Sequence, residues 1–196
     1  MVKTLIAALF SIPTLGFAQS ALPAIDYPAL FELHADSITT VSGADGINGR
    51  QLSLSGEIRI TETGPIGQRR YVGADLSQAG AVGCFANLMI EIAGLLESCP
   101  DKTTAPQKER LEFALTQVFA FVAQNTFPPH PLATVDASAR ARIIAIKALS
   151  SQEPQYCAEN EAGIARIGDG LVNDGFTTEL AAILAVPRLP VMNPCL

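Results

Sequence analysis

The sequence predicts an α+β fold that is mostly helical. An N-terminal three-stranded antiparallel meander, about 29–72, packs on a bundle of about five helices, about 75–186, and two disulfides hold the whole. Three observations lead there. Apolar residues alternate with period two through the first third of the chain. After Gly73 the spacing changes to steps of three and four. All four cysteines lie beyond that change.

The stretch "ALFELHADSITTV", 29–41, sets Phe31, Leu33 and Ala35 against Glu32, His34 and Asp36, and reads as the first strand. "QLSLSGEIRIT", 51–61, reads as the second: Leu52, Leu54, Ile58 and Ile60 face one way, while Gln51, Ser53, Ser55, Glu57, Arg59 and Thr61 face the other. Between them Asp45-Gly46 and Asn48-Gly49 supply residues that tolerate positive φ and close a hairpin. "TETGPIG" turns the chain into a shorter third strand, "QRRYV". Three strands alone bury too little, so the helices are expected to cover their apolar face.

Asp75, with Gln78 three places on, resembles a capping box for a first helix reaching about Ser98. A second begins near Thr104, with Pro106 in its first turn and Gln107 completing a box, and "FPPHP" stops it. A third is capped by Asp136. A fourth runs from about Pro154 until "GDGLVNDG" breaks it, and "TTELAAILA" is a short fifth before a proline-punctuated tail.

The first helix decides the pairing of the cysteines. In "VGCFANLMIEIAGLLESCP", Cys84, Phe85, Leu88, Met89, Ile92, Leu95, Leu96 and Cys99 trace one stripe, with Asn87, Glu91, Gly94 and Ser98 opposite. The run is short and carries Glu91 and Glu97, so it reads as a core helix and not a membrane span. Cys84 and Cys99 lie about 22 Å apart on such a helix at 1.5 Å per residue, whereas a disulfide needs Cα atoms within about 7 Å. Up-and-down packing of the helices brings Cys157 beside Cys99 and leaves an extended tail that reaches Cys84. The expected bridges are therefore Cys99–Cys157 and Cys84–Cys195.

The first residues, "MVKTLIAALFSIPTLGFAQS", have the basic start, apolar run and small residues at Gly16 and Ala18 of a secretory signal peptide cut after Ala18. Residues 19–196 then form a single domain in the periplasm or outside the cell, with no stable membrane insertion, where paired cysteines persist. The formal charge of −6 argues against nucleic acid as a partner.

Catalytic signals are sparse. The chain has two histidines and no nucleophile elbow, HExxH, C-x-x-C or glycine-rich phosphate loop. In "GDGLVNDG", Asp169, Asn173 and Asp174 miss the register of a calcium loop. Carboxylate pairs such as Glu159 with Glu161, or Glu109 with Glu112, are what any acidic helical protein offers. No cofactor and no metal is expected. The weak binding candidates are His34 and Asp36, with Glu32 on the same predicted strand face, and Arg140 and Arg142, which with Lys147 give the third helix a basic side. Arg69-Arg70 is a second positive pair, and His130 sits in the proline-rich loop. These features point to a non-catalytic module that binds a protein or small molecule. The alternatives are a small exported hydrolase whose acidic residues converge from separate segments, and a structural envelope component.

Overall fold

The computed structural model describes residues 21–42, 48–153 and 155–195, so the predicted signal peptide, the Asp45-Gly46 turn and Pro154 lie outside the described residues. It is an α+β fold, mostly helical, with both expected disulfides: Cys84–Cys195, Cα atoms 5.3 Å apart, and Cys99–Cys157, 5.6 Å apart.

The first predicted strand is two things. Helix α1 (Tyr27–Leu33) comes first, because Asp26 accepts a hydrogen bond from the Ala29 N–H and Pro28 sits in the first turn. A 3-10 turn over Ala35–Ser37 leads into strand β1 (Ile38–Ser42). The period-two pattern in 29–36 is coincidental: α1 buries the adjacent pair Leu30 and Phe31 and leaves Leu33 exposed.

The second predicted strand is a hairpin. Strands β2 (Asn48–Leu54) and β3 (Ile58–Thr63) are joined at Gly56 and Glu57, both with positive φ (71° and 63°). Because Leu54 pairs with Ile58 across a three-residue connection, alternation continues through the turn and hides it. With β4 (Arg70–Asp75) the sheet has four antiparallel strands in sequential order, not three.

Helix α2 begins at Val82 and ends at Ser98; Asp75 does not cap it, being the last residue of β4. Helix α3 (Ala105–Asn125) starts as expected, the Thr104 N–H donating to Gln107 Oε1 at 2.9 Å. Helix α4 (Leu132–Ser150) begins before Asp136, which lies inside it and pairs with Arg140. A single turn α5 (Tyr156–Glu159) precedes α6 (Glu161–Val172), which runs straight through Gly168-Asp169-Gly170. The chain turns only at Asn173, whose side chain accepts from the Gly175 N–H and starts α7 (Asp174–Leu184).

Two apolar cores result, and α2 joins them. From Ala86 onward it packs among α3, α4 and α6, with Met89, Ile90, Ile92 and Leu96 fully enclosed. It is buried nearly all round, beyond the single stripe expected: Gly94 faces inward, and a Cβ there would lie 2.6 Å from Ile146 Cγ2 of α4. The second core lies on the apolar face of the sheet. Leu52, Ile58 and Ile60 are covered by Leu30 and Phe31 of α1, by Ala81 and Cys84 at the start of α2, and by Leu189 and Val191 of the tail. The bundle thus meets the sheet's apolar face chiefly through the N-terminal end of α2.

The tail, 187–195, is threaded between sheet and bundle. The Gly83 N–H donates to the Val191 carbonyl at 3.0 Å, and the Asp75 N–H to Asn193 at 2.8 Å. Ala74 and Asn193 form a parallel bridge before Cys195 closes onto Cys84.

Candidate functional site

The covered face of the sheet is apolar at one end and charged at the other. On β2 and β3, residues in phase with Leu52, Leu54, Ile58 and Ile60 include Arg50 and Glu62, which are register partners. Arg50 donates to Glu62 twice, Nε to Oε1 at 2.6 Å and Nη2 to Oε2 at 2.7 Å, and Arg69 Nη1 donates to Oε2 at 3.1 Å. Glu62 is 4% exposed, while the arginines keep about a third of their side-chain surface open, 39% and 35%.

Aromatic rings flank this trio. The Arg50 guanidinium lies over the Phe31 ring, 5.3 Å from its centroid. Phe31 meets Tyr71 edge-on at 5.5 Å, and Tyr71 stacks on Tyr27 at 5.9 Å. Arg50, Arg69, Phe31 and Tyr71, together with Glu32 and Ile38, line a hollow of about 420 Å³ between α1 and the sheet.

The electrostatics follow from this contact set. The hydrogen bonds from Arg50 hold the Glu62 carboxyl below the usual carboxylate range, against a burial effect in the other direction. The same bond raises Arg50. Burial, then Glu62, pushes the Tyr71 phenol up. Glu62 is therefore a fixed anion, and the two guanidiniums sharing it leave the trio one positive charge in excess.

Of the residues singled out from the sequence, Glu32 and Arg69 line this hollow and the others fall elsewhere. Glu32, His34 and Asp36 do not share a strand face: Glu32 is on α1, His34 caps its C-terminal end, and Asp36 lies in the 3-10 turn. His34 lines a wider hollow of about 530 Å³ with Ser37, Ser53, Ser55 and Gln124, and Glu32 lines the arginine hollow. Arg140 donates to both oxygens of Glu112 on α3 at 2.8 and 2.6 Å, with Asp136 at 3.4 Å. Arg142 donates to Glu91 of α2 at 2.9 Å. The basic side of α4 thus meets the protein's own carboxylates. His130 donates its backbone N–H to Ala123, and its Nε2 is buried without a hydrogen-bond partner. Among the described residues no group of three histidine, cysteine or acidic side chains is placed to hold a metal ion.

Sequence reasoning noted Arg69 only as half of a surface pair and passed over Arg50 and Glu62. The signal was available: opposite charges in phase with the apolar residues of adjacent strands belong on the covered face. No protein-family model matches the chain, and no curated protein or solved structure matches it. Among the described residues no helix is long and apolar enough to cross a membrane.

Proposed function

We propose that this chain is an exported, disulfide-stabilised binding module, non-catalytic, that takes a small molecule in the hollow between α1 and the sheet. The observation that carries the reading is the charged trio: Glu62, sealed from water, anchors Arg50 and Arg69 beside two aromatic rings while both guanidiniums stay open to the hollow. Anchored cations next to apolar walls lose little freedom when a ligand arrives, which is how a site achieves affinity from few contacts. Two disulfides of long span suit an oxidising compartment.

Two measurements test this. Chemical-shift mapping of the oxidised chain against a fragment collection is expected to give hits that cluster on Phe31, Arg50, Arg69 and Tyr71; hits confined to another surface would overturn the assignment. N-terminal sequencing of exported material is expected to start at Gln19, and a start at Met1 would remove the export claim.

A further inference from the structure

We infer that the hollow recognises an amphoteric molecule with an apolar body, in the class of a hydrophobic α-amino acid; this rests on the reading just given of the hollow as a small-molecule site. The argument is an inventory of charges and donors. Arg50 uses Nε and Nη2 on Glu62, and Arg69 uses Nη1 on Glu62 with a further bond to the Tyr71 hydroxyl, so of the five N–H groups on each guanidinium some remain for a ligand. The forked geometry of arginine suits a carboxylate, and the excess positive charge of the trio matches one such group.

The second charge is on the opposite wall. Glu32 follows Phe31 on α1, lines the same hollow, is exposed, and has no ion pair or side-chain hydrogen bond among the described residues. A ligand bearing only negative charge would leave Glu32 unanswered and repelled. One bearing only positive charge would meet the trio's excess. A carboxylate toward Arg69 with an ammonium toward Glu32 satisfies both. Phe31, Tyr71 and Ile38 then offer apolar surface to the ligand's body, in a hollow within the usual size of small-molecule sites, roughly 300–1,000 Å³. The wider hollow beside His34 mixes hydroxyl and amide groups with Leu30, Leu54 and Phe127, and the arginine in its lining, Arg188, is already paired with Asp75.

The probes are L-phenylalanine, 3-phenylpropionate, which lacks the ammonium, and phenethylamine, which lacks the carboxylate. Each is titrated into the oxidised chain by calorimetry, with chemical shifts of Phe31 and Tyr71 read in parallel. Phenylalanine is expected to saturate the hollow, with phenylpropionate about tenfold weaker and phenethylamine weaker still. Glu32→Gln is expected to weaken phenylalanine and, by removing the repulsion, to tighten phenylpropionate, so that the two bind about equally, and Arg69→Ala to weaken both acids. If phenylpropionate binds the hollow as tightly as phenylalanine, or Glu32→Gln has no effect, the amphoteric class is wrong while the hollow remains the site. If no probe moves Phe31 or Tyr71 and fragments map elsewhere, the amino-acid class and the site both fall.

Discussion

Arg188 Nε donates to Asp75 Oδ2 at 2.6 Å across 113 positions of sequence, with both side chains sealed from water. Every nitrogen of the Arg188 guanidinium has an acceptor. Arg188 also donates Nη1 to the Ile183 and Val186 carbonyls and Nη2 to Gly80, and Asp75 Oδ1 accepts from the Ser77 N–H and hydroxyl. A buried pair is tolerated when its remaining hydrogen-bonding capacity is met in this way. Removing one partner is a different matter. Arg188→Ala is expected to cost about 3–5 kcal/mol by leaving an uncompensated buried carboxylate. Replacing both, as Asp75→Leu with Arg188→Met, should recover part of that loss in a urea titration, and equal instability of single and double variants would contradict the account.

At Gly83, α2 packs directly on the backbone of the tail. A Cβ there would overlap the Pro190 carbonyl oxygen and lie 2.6 Å from that of Val191, both backbone atoms with little room to yield. Gly83→Ala is expected to destabilise by about 1–3 kcal/mol, the usual range for overpacking. Gly163 on α6 is the control: no atom lies within 4 Å of a Cβ there, and Gly163→Ala is expected to stabilise by about 0.5–1 kcal/mol through helix propensity. Thermal unfolding of the two variants should move in opposite directions.

The disulfides close loops of 111 and 58 residues. In the chain-entropy model these contribute about 5 and about 4 kcal/mol respectively. Reduction under native conditions should lower the unfolding midpoint in denaturant markedly, and peptide mapping without reductant should recover Cys84 with Cys195 and Cys99 with Cys157. A linked Cys84–Cys99 peptide would be incompatible with α2 as a continuous helix.

Acid should loosen the arginine hollow. The Glu62 pKa lies below its ordinary 4.5 in the folded state, so folding favours the ionised form. Its contribution is complete above 4.5 and is lost as pH falls through the lower folded value. The unfolding free energy of Glu62→Gln is therefore expected to depend less on pH below 4.5 than that of the parent chain. Parallel acid limbs in the two would show that Glu62 is not coupled to folding.

Much of this architecture was legible because it rests on local spacing. The capping box at Thr104 fixes the start of α3, and the distance from Cys84 to Cys99 along a helix excludes their pairing. What escaped detection depends on partners remote in sequence, or on coincidence. The 29–36 segment alternates by chance, and only Asp26 and Pro28 mark it as a helix start. The turn at Gly56 was concealed because a three-residue connection preserves parity. Asp75 looked like a cap until Arg188 supplied its partner, and nothing near Arg188 announces that role. The candidate hollow was half visible: Arg50 and Glu62 break the apolar face in register, whereas Arg69 and Phe31 join them only through the loop before β4 and the docking of α1.

The threaded tail bears on timing. Synthesis delivers residues 187–195 after the other elements described above, yet those residues neutralise Asp75, cover Leu52 and Ile60, and hold α2 at Gly83. The bundle's core is built mostly from its own helices, whereas the junction between bundle and sheet draws on the tail. The order of manufacture thus leaves this seam open until residues 187–195 emerge, and a chain halted before Pro187 carries Asp75 without its guanidinium at the place where its two cores should meet.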